Sequence, residues 1–134
     1  MNETDRMTAI NQYLAKVTEL FYSGHAIEHA YRGPLETLIN SLDDVIAVND
    51  PKHSEYGAPD FVFLKKSNRD VICGHAEAKD ITVSLDKTEK SEQMQRYHGY
   101  ANLILTDYLE FRFFRNGEKY ETISLGYVKD GMLH

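Results

Sequence analysis

Pro59-Asp60-Phe61-Val62-Phe63-Leu64, a polar turn from Lys65 to Asp70, then Val71-Ile72-Cys73-Gly74-His75-Ala76-Glu77-Ala78-Lys79 is the stretch whose reading decides the fold. Two apolar runs joined by a short polar turn predict a β-hairpin. An acid opens the first run, and an acid and a lysine two apart close the second. Residues i and i+2 of a strand share a face, so Glu77 and Lys79 point the same way, their roots roughly 6.5–7 Å apart at about 3.3 Å rise per residue. In an antiparallel pair the start of the first run lies beside the end of the second, which brings Asp60 close to both. Two converging carboxylates can share a divalent metal, and an adjacent ammonium can orient a water. That equipment suits metal-assisted hydrolysis of a phosphodiester.

Outward from the hairpin, Ile10, Tyr13, Leu14, Val17, Leu20 and Phe21 recur at helical spacing, predicting an amphipathic helix over about residues 4 to 22, ended by Gly24. A second helical pattern runs through Ile27, Tyr31, Leu35, Leu38, Ile39 and Leu42, with Pro34 either kinking it or restarting it. Glu28 lies on the apolar stripe of that pattern. A carboxylate on a buried face is costly unless paired, so Glu28 is either a surface partner of Arg32 at i, i+4 or an acid aimed at the Asp60/Glu77 site. Val45 to Val48 is a short strand closed by the turn signal Asn49-Asp50-Pro51. Phe61 to Leu64 is apolar without interruption, as a strand covered on both faces should be.

Beyond the hairpin, Asp86 and Glu89 resemble a capping box that opens a helix over about Lys87 to Tyr100. Leu103 to Leu105 is another strand. Leu109 to Arg115 and Glu118 to Leu125 flank Asn116-Gly117, a strong two-residue hairpin signal. The tail from Gly126 to His134 carries no evident pattern. The expected class is α/β, a mixed central β-sheet flanked by α-helices, in a single domain spanning residues 1–134.

Composition narrows the function. One cysteine, Cys73, excludes an internal disulfide framework. No signal-peptide pattern opens the chain and no window reaches bilayer length, so a cytoplasmic protein is expected. The formal charge of −6 runs against a freestanding DNA binder, which is usually basic. Weak, salt-sensitive binding is therefore expected of the isolated chain. Cys73 with His75, or His25 with His29, offers a pair of zinc-type ligands, but neither pair has a third anchored partner. No glycine-rich phosphate loop is present.

Pro59-Asp60, sixteen residues, then Glu77-Ala78-Lys79 resembles the PD-(D/E)xK nuclease motif. The longer words His29-Ala30-Tyr31-Arg32, Gly57-Ala58-Pro59-Asp60-Phe61, Glu77-Ala78-Lys79-Asp80 and Asn102 to Phe111 resemble the N-terminal endonuclease domain of single-polypeptide (type ISP or type IIG-like) restriction–modification enzymes. The resemblance covers about Gly24 to Leu125. It implies a restriction-endonuclease-like core and Mg²⁺-dependent DNA cleavage, with Mn²⁺ able to substitute, leaving a 5′-phosphate and a 3′-hydroxyl. It further implies that Asp60 and Glu77 hold metal and that Lys79 positions the attacking water. Glu28 matches the helix acid that many relatives add. Gln93 and Tyr97 match a Gln-x-x-x-Tyr motif that supports the site or contacts DNA in RecB-like members, and at i, i+4 they share a helix face. The implied partners are DNA and the translocase, methyltransferase and target-recognition domains of a larger parent polypeptide. Two alternatives stand beside this: a catalytically silent module of the same fold that binds DNA or protein, and a solitary DNA-repair nuclease.

Overall fold

The structure, a computed structural model, describes residues 3–25, 28–49 and 56–134. Helix α1 (Glu3–Tyr22) buries Tyr13 and Val17, and Gly24 takes a positive φ of 76° just past its end, a backbone conformation that glycine adopts at little cost. The second helical pattern divides, so that of the kink and the restart left open at Pro34 the structure shows a restart, two residues earlier. Glu28–Tyr31 is a single 3-10 turn, and α2 (Arg32–Asn40) starts immediately after it. Pro34 is the third residue of α2, where the missing N–H has no helical partner to lose.

Strands β1 (Val45–Asn49), β2 (Phe61–Lys65), β3 (Asn68–Ala78), β4 (Asn102–Thr106), β5 (Glu110–Arg115) and β6 (Glu118–Ser124) form one six-stranded sheet in sequence order. β3 and β4 run parallel; every other neighbouring pair is antiparallel. A parallel pair needs a crossover, and here it carries two short helices, α3 (Leu85–Glu89) and α4 (Glu92–Tyr97).

The single helix expected over Lys87 to Tyr100 is thus broken at Lys90-Ser91. Ser91 adopts an extended backbone and its hydroxyl accepts the Met94 N–H at 3.2 Å, capping a new helix. The Asp86/Glu89 capping box is absent: Ser84 precedes the first helix without a side-chain cap, and both acids are engaged by Arg112, Asp86 at 2.8 Å and Glu89 at 3.2 Å.

The helices cover both faces of the sheet. On one, Tyr13, Val17, Tyr31 and Leu35 pack against Ala47, Phe61, Phe63, Ala76 and Ala78. On the other, Leu85, Met94, Tyr97 and Tyr100 pack against Leu103, Leu105 and Phe114. β2 is buried on both sides at Phe61, Val62 and Phe63, in keeping with its unbroken apolar run. Asn116 and Gly117 take φ of 50° and 83°, the type I′ geometry their sequence calls for. The tail has structure of its own: β7 (Val128–Lys129) and β8 (Met132–Leu133) form a ribbon around Asp130-Gly131, and the Leu133 N–H donates to the Tyr22 hydroxyl at 3.0 Å. No helix among the described residues is long and apolar enough to cross a membrane.

Candidate active site

The hairpin register sets the geometry. Phe61 lies opposite Ala76, which puts Asp60, one residue before β2, beside Glu77. A tight turn alone would not do this. Lys65 pairs with Asn68 at the turn, and that register carried back unshifted would set Asp60 against Cys73. Two irregularities, between Phe63 and Leu64 and between Leu64 and Lys65, let β3 slide four positions. An even slide preserves which face each side chain occupies. It carries the outer half of β3 (Val71, Ile72, Cys73) into solvent and the Glu77 end into the protein.

Asp60 and Glu77 are interlocked. The Asp60 N–H donates to Glu77 Oε1 at 3.2 Å, and the Ala78 N–H donates to Asp60 Oδ2 at 2.8 Å. Lys79 follows the last residue of β3; its N–H donates to the Thr106 carbonyl at 2.9 Å, and its Nζ stands 3.1 Å from Glu77 Oε2. Asp60, Glu77 and Lys79 therefore meet at one end of the sheet. Glu77 is 4% exposed. Burial, then repulsion from Asp60, pushes its carboxyl up to about 7, with Lys79 opposing the shift. An acid held this far from its ordinary range by burial and a neighbouring carboxylate is what an added cation would relieve.

Arg32, the first residue of α2, also reaches this end of the sheet. Its guanidinium donates from Nη2 to Asp60 Oδ1 at 2.6 Å and from Nη1 to Asn49 Oδ1 at 3.2 Å. The sequence pairs Arg32 with Glu28 at helical spacing and contains nothing that points it at Asp60. Glu28 opens the 3-10 turn; its side chain lies outside the described residues.

On the helical side, Tyr97 is buried at 1% exposure. Burial, then the negative charge of Glu77 and Asp60, pushes its phenol up, and its ring lies against Gly57, two residues before Pro59. Gln93 is half-buried in the first turn of α4. The neighbouring aromatic cluster is legible only in three dimensions. His75 stacks on Tyr100 at 3.8 Å between ring centroids, and burial lowers its pKa. The Tyr100 hydroxyl donates to the Gly57 carbonyl at 2.9 Å, tying the segment before Pro59 to the end of α4. Cys73 is exposed.

Among the described residues no group of three or more His, Cys, Asp and Glu side chains is placed to hold an ion. Asp60 and Glu77 supply two hard oxygen donors. Mg²⁺ is usually held by one or two carboxylates with waters and substrate phosphate completing its shell, so the donor set fits such an ion.

A six-stranded mixed sheet covered by helices on both faces, with paired acids at one end, defines a restriction-endonuclease-like fold. Among the solved structures similar to it is the cryo-EM structure of a DrdV–DNA complex, at a TM-score of 0.73 and 16% identity. The match covers 88% of this chain and 12% of the DrdV chain, so the protein corresponds to a small part of that chain's length. No family model matches the chain, nor does any curated protein.

Proposed function

We propose that this chain is the cleavage module of a DNA endonuclease of restriction–modification type. In this reading Asp60 and Glu77 hold a divalent cation, Mg²⁺ or in its place Mn²⁺. The observation that carries it is the meeting of Asp60, Glu77 and Lys79 at one sheet end, on a fold shared with a protein solved bound to DNA. When bound, the cation supplies Lewis acidity and a water of lowered pKa. The chain's own residues present, orient and neutralise. Asp60 and Glu77 offer oxygen donors already held by the Ala78 and Asp60 backbone N–H groups, respectively. The Lys79 ammonium, 31% exposed at the mouth of the site, orients the attacking water and offsets charge on the phosphate. Tyr97 walls the acids on the α4 side, and Gln93, a turn before it, faces the DNA or supports the wall. Glu28 is proposed as a further acid of the site. Target choice and the decision to cut belong, in this reading, to translocase, methyltransferase and recognition domains of a larger parent.

Incubation of the purified chain with supercoiled plasmid and Mg²⁺ or Mn²⁺ tests the proposal. Nicking that vanishes in chelator and in Asp60→Ala is the expected result. Calorimetry with Mn²⁺ adds an arm independent of turnover, in which identical heats for wild type and Glu77→Ala would remove the metal site.

One observation favours a second reading, a silent DNA- or protein-binding module of the same fold. Each carboxylate already has a cation of the protein beside it, Arg32 for Asp60 and Lys79 for Glu77, in a chain of formal charge −6. Metal-independent binding without nicking, in wild type and Asp60→Ala alike, would decide for it.

A further inference from the structure

Arg32 is a buried charge for which the proposed reaction has no task. Its side chain is 10% exposed, and that of Asp60 17%. The guanidinium spans Asp60 Oδ1 and Asn49 Oδ1, so it is anchored to β1 as well as to the carboxylate. The other oxygen of Asp60 accepts the Ala78 N–H at 2.8 Å. The backbone of β3 thus holds one oxygen of the carboxylate independently of Arg32.

What Arg32 contributes is charge. A guanidinium does not deprotonate in a protein, so its positive charge stays against Oδ1 at any working pH. A divalent cation approaching Asp60 would share that oxygen's lone pairs and meet a like charge at contact range, in surroundings where salt screens poorly. With Lys79 beside Glu77, each of the two acids already has a cation of the protein beside it before any ion arrives.

We propose that Arg32 is an internal counter-ion that competes with a divalent cation for Asp60, and that cation binding displaces its guanidinium from Oδ1. This rests on the reading of Asp60 and Glu77 as a metal site. A phosphodiester entering with the cation brings negative charge and a new acceptor for the released guanidinium. Cation and DNA therefore bind with positive coupling, each strengthening the other.

Calorimetric titration of the whole chain with Mn²⁺, without DNA, tests this in wild type, Arg32→Lys and Arg32→Gln, with folding of each checked by circular dichroism. The expected result is Mn²⁺ binding roughly tenfold or more tighter in Arg32→Gln, the low end of what neighbours of metal ligands do to affinity, and near wild type in Arg32→Lys, which keeps the charge. Unchanged or weaker binding in a folded Arg32→Gln, with wild type still binding, overturns the proposal; weaker binding would make Arg32 an orienting residue instead. Absence of binding in every variant removes the metal site itself and the proposal with it. Should Arg32→Gln fail to fold, the Arg32 Nε–H resonance of wild type, assigned by its loss in Arg32→Lys, is followed through a Mg²⁺ titration. A saturating shift absent from Glu77→Ala supports displacement, and a resonance that does not move overturns it.

Discussion

At the scale of single residues, Glu77 carries a charge its surroundings resist. Burial and Asp60 hold its carboxyl up at about 7 from an ordinary 4.5, so in the metal-free protein the folded state binds this proton more tightly than the unfolded chain does. The stability this contributes is full below about 4.5 and is lost as pH rises through about 7. Glu77→Gln, which cannot ionise, should therefore melt above wild type at pH 8 in chelator and close to it at pH 4.5, by a few degrees for each kcal/mol recovered. A pH-independent difference would assign the effect to packing. The same proton competes with a bound cation, so Mn²⁺ affinity should climb with pH up to about 7 and level off above it; a flat profile from pH 5.5 to 8 would remove Glu77 from the ligand set. Lys79 stands beside Glu77 without contributing an oxygen. Its replacement by alanine should lower cleavage by on the order of 10²–10³-fold, the usual loss when one transition-state electrostatic partner is removed. Mn²⁺ heats should stay near wild type, and a loss of metal affinity in that variant would mean the lysine is structural.

The crossover between β3 and β4 sets the wall of the site at the scale of elements. Two short helices replace one because Ser91 caps the second while Lys90 ends the first. Ser91→Ala should cost about 1 kcal/mol, the typical worth of an N-cap, measured by urea unfolding. It should also loosen Tyr97 against the acids, visible as a changed near-ultraviolet tyrosine signal. The preceding helix is held by charge. The Arg112 guanidinium, its side chain 12% exposed, contacts Asp86, Glu89 and Glu110, and Lys119 adds a second cation at 3.1 Å from Glu89. Asp86 is largely exposed, which discounts its pair heavily, whereas the less exposed Glu89 and Glu110 lose a close partner when Arg112 is removed. Arg112→Met should destabilise by roughly 1–2 kcal/mol, less in high salt; a loss insensitive to salt would point to packing of the arginine stem instead.

For the whole molecule, charge and fold point in different directions. A restriction-endonuclease-like architecture sits on a chain of net charge −6, which gives little general attraction for a polyanion. If the protein acts on DNA, the isolated chain should bind duplex weakly, with affinity falling steeply as salt rises and recovering when a divalent cation is added. Filter binding or anisotropy across 50–200 mM salt measures this. Tight, salt-insensitive binding would contradict an interface built on phosphate contacts.

Local chemistry alone determined a good part of this protein. The i, i+3, i+4 apolar spacing of α1, the unbroken run of β2, the Asn116-Gly117 turn and the placing of Asp60, Glu77 and Lys79 at strand ends each follow from residues close in sequence. Some misreadings were local too. Ser91 as a cap and Asp130-Gly131 as a hairpin turn carried signals of their own, the first masked by the helix formers Lys87 to Lys90 before it and the second by the brevity of the tail. The tertiary structure alone decided the rest. The slide of β3 that sets Glu77 rather than Cys73 opposite Asp60 comes from burying one end of that strand and not the other. The Arg32–Asp60 contact, across 28 residues, exists because packing α2 on the sheet delivers its first residue to the end of β2. Such contacts leave no periodic trace in sequence, since the free energy that selects them is gained when the layers close.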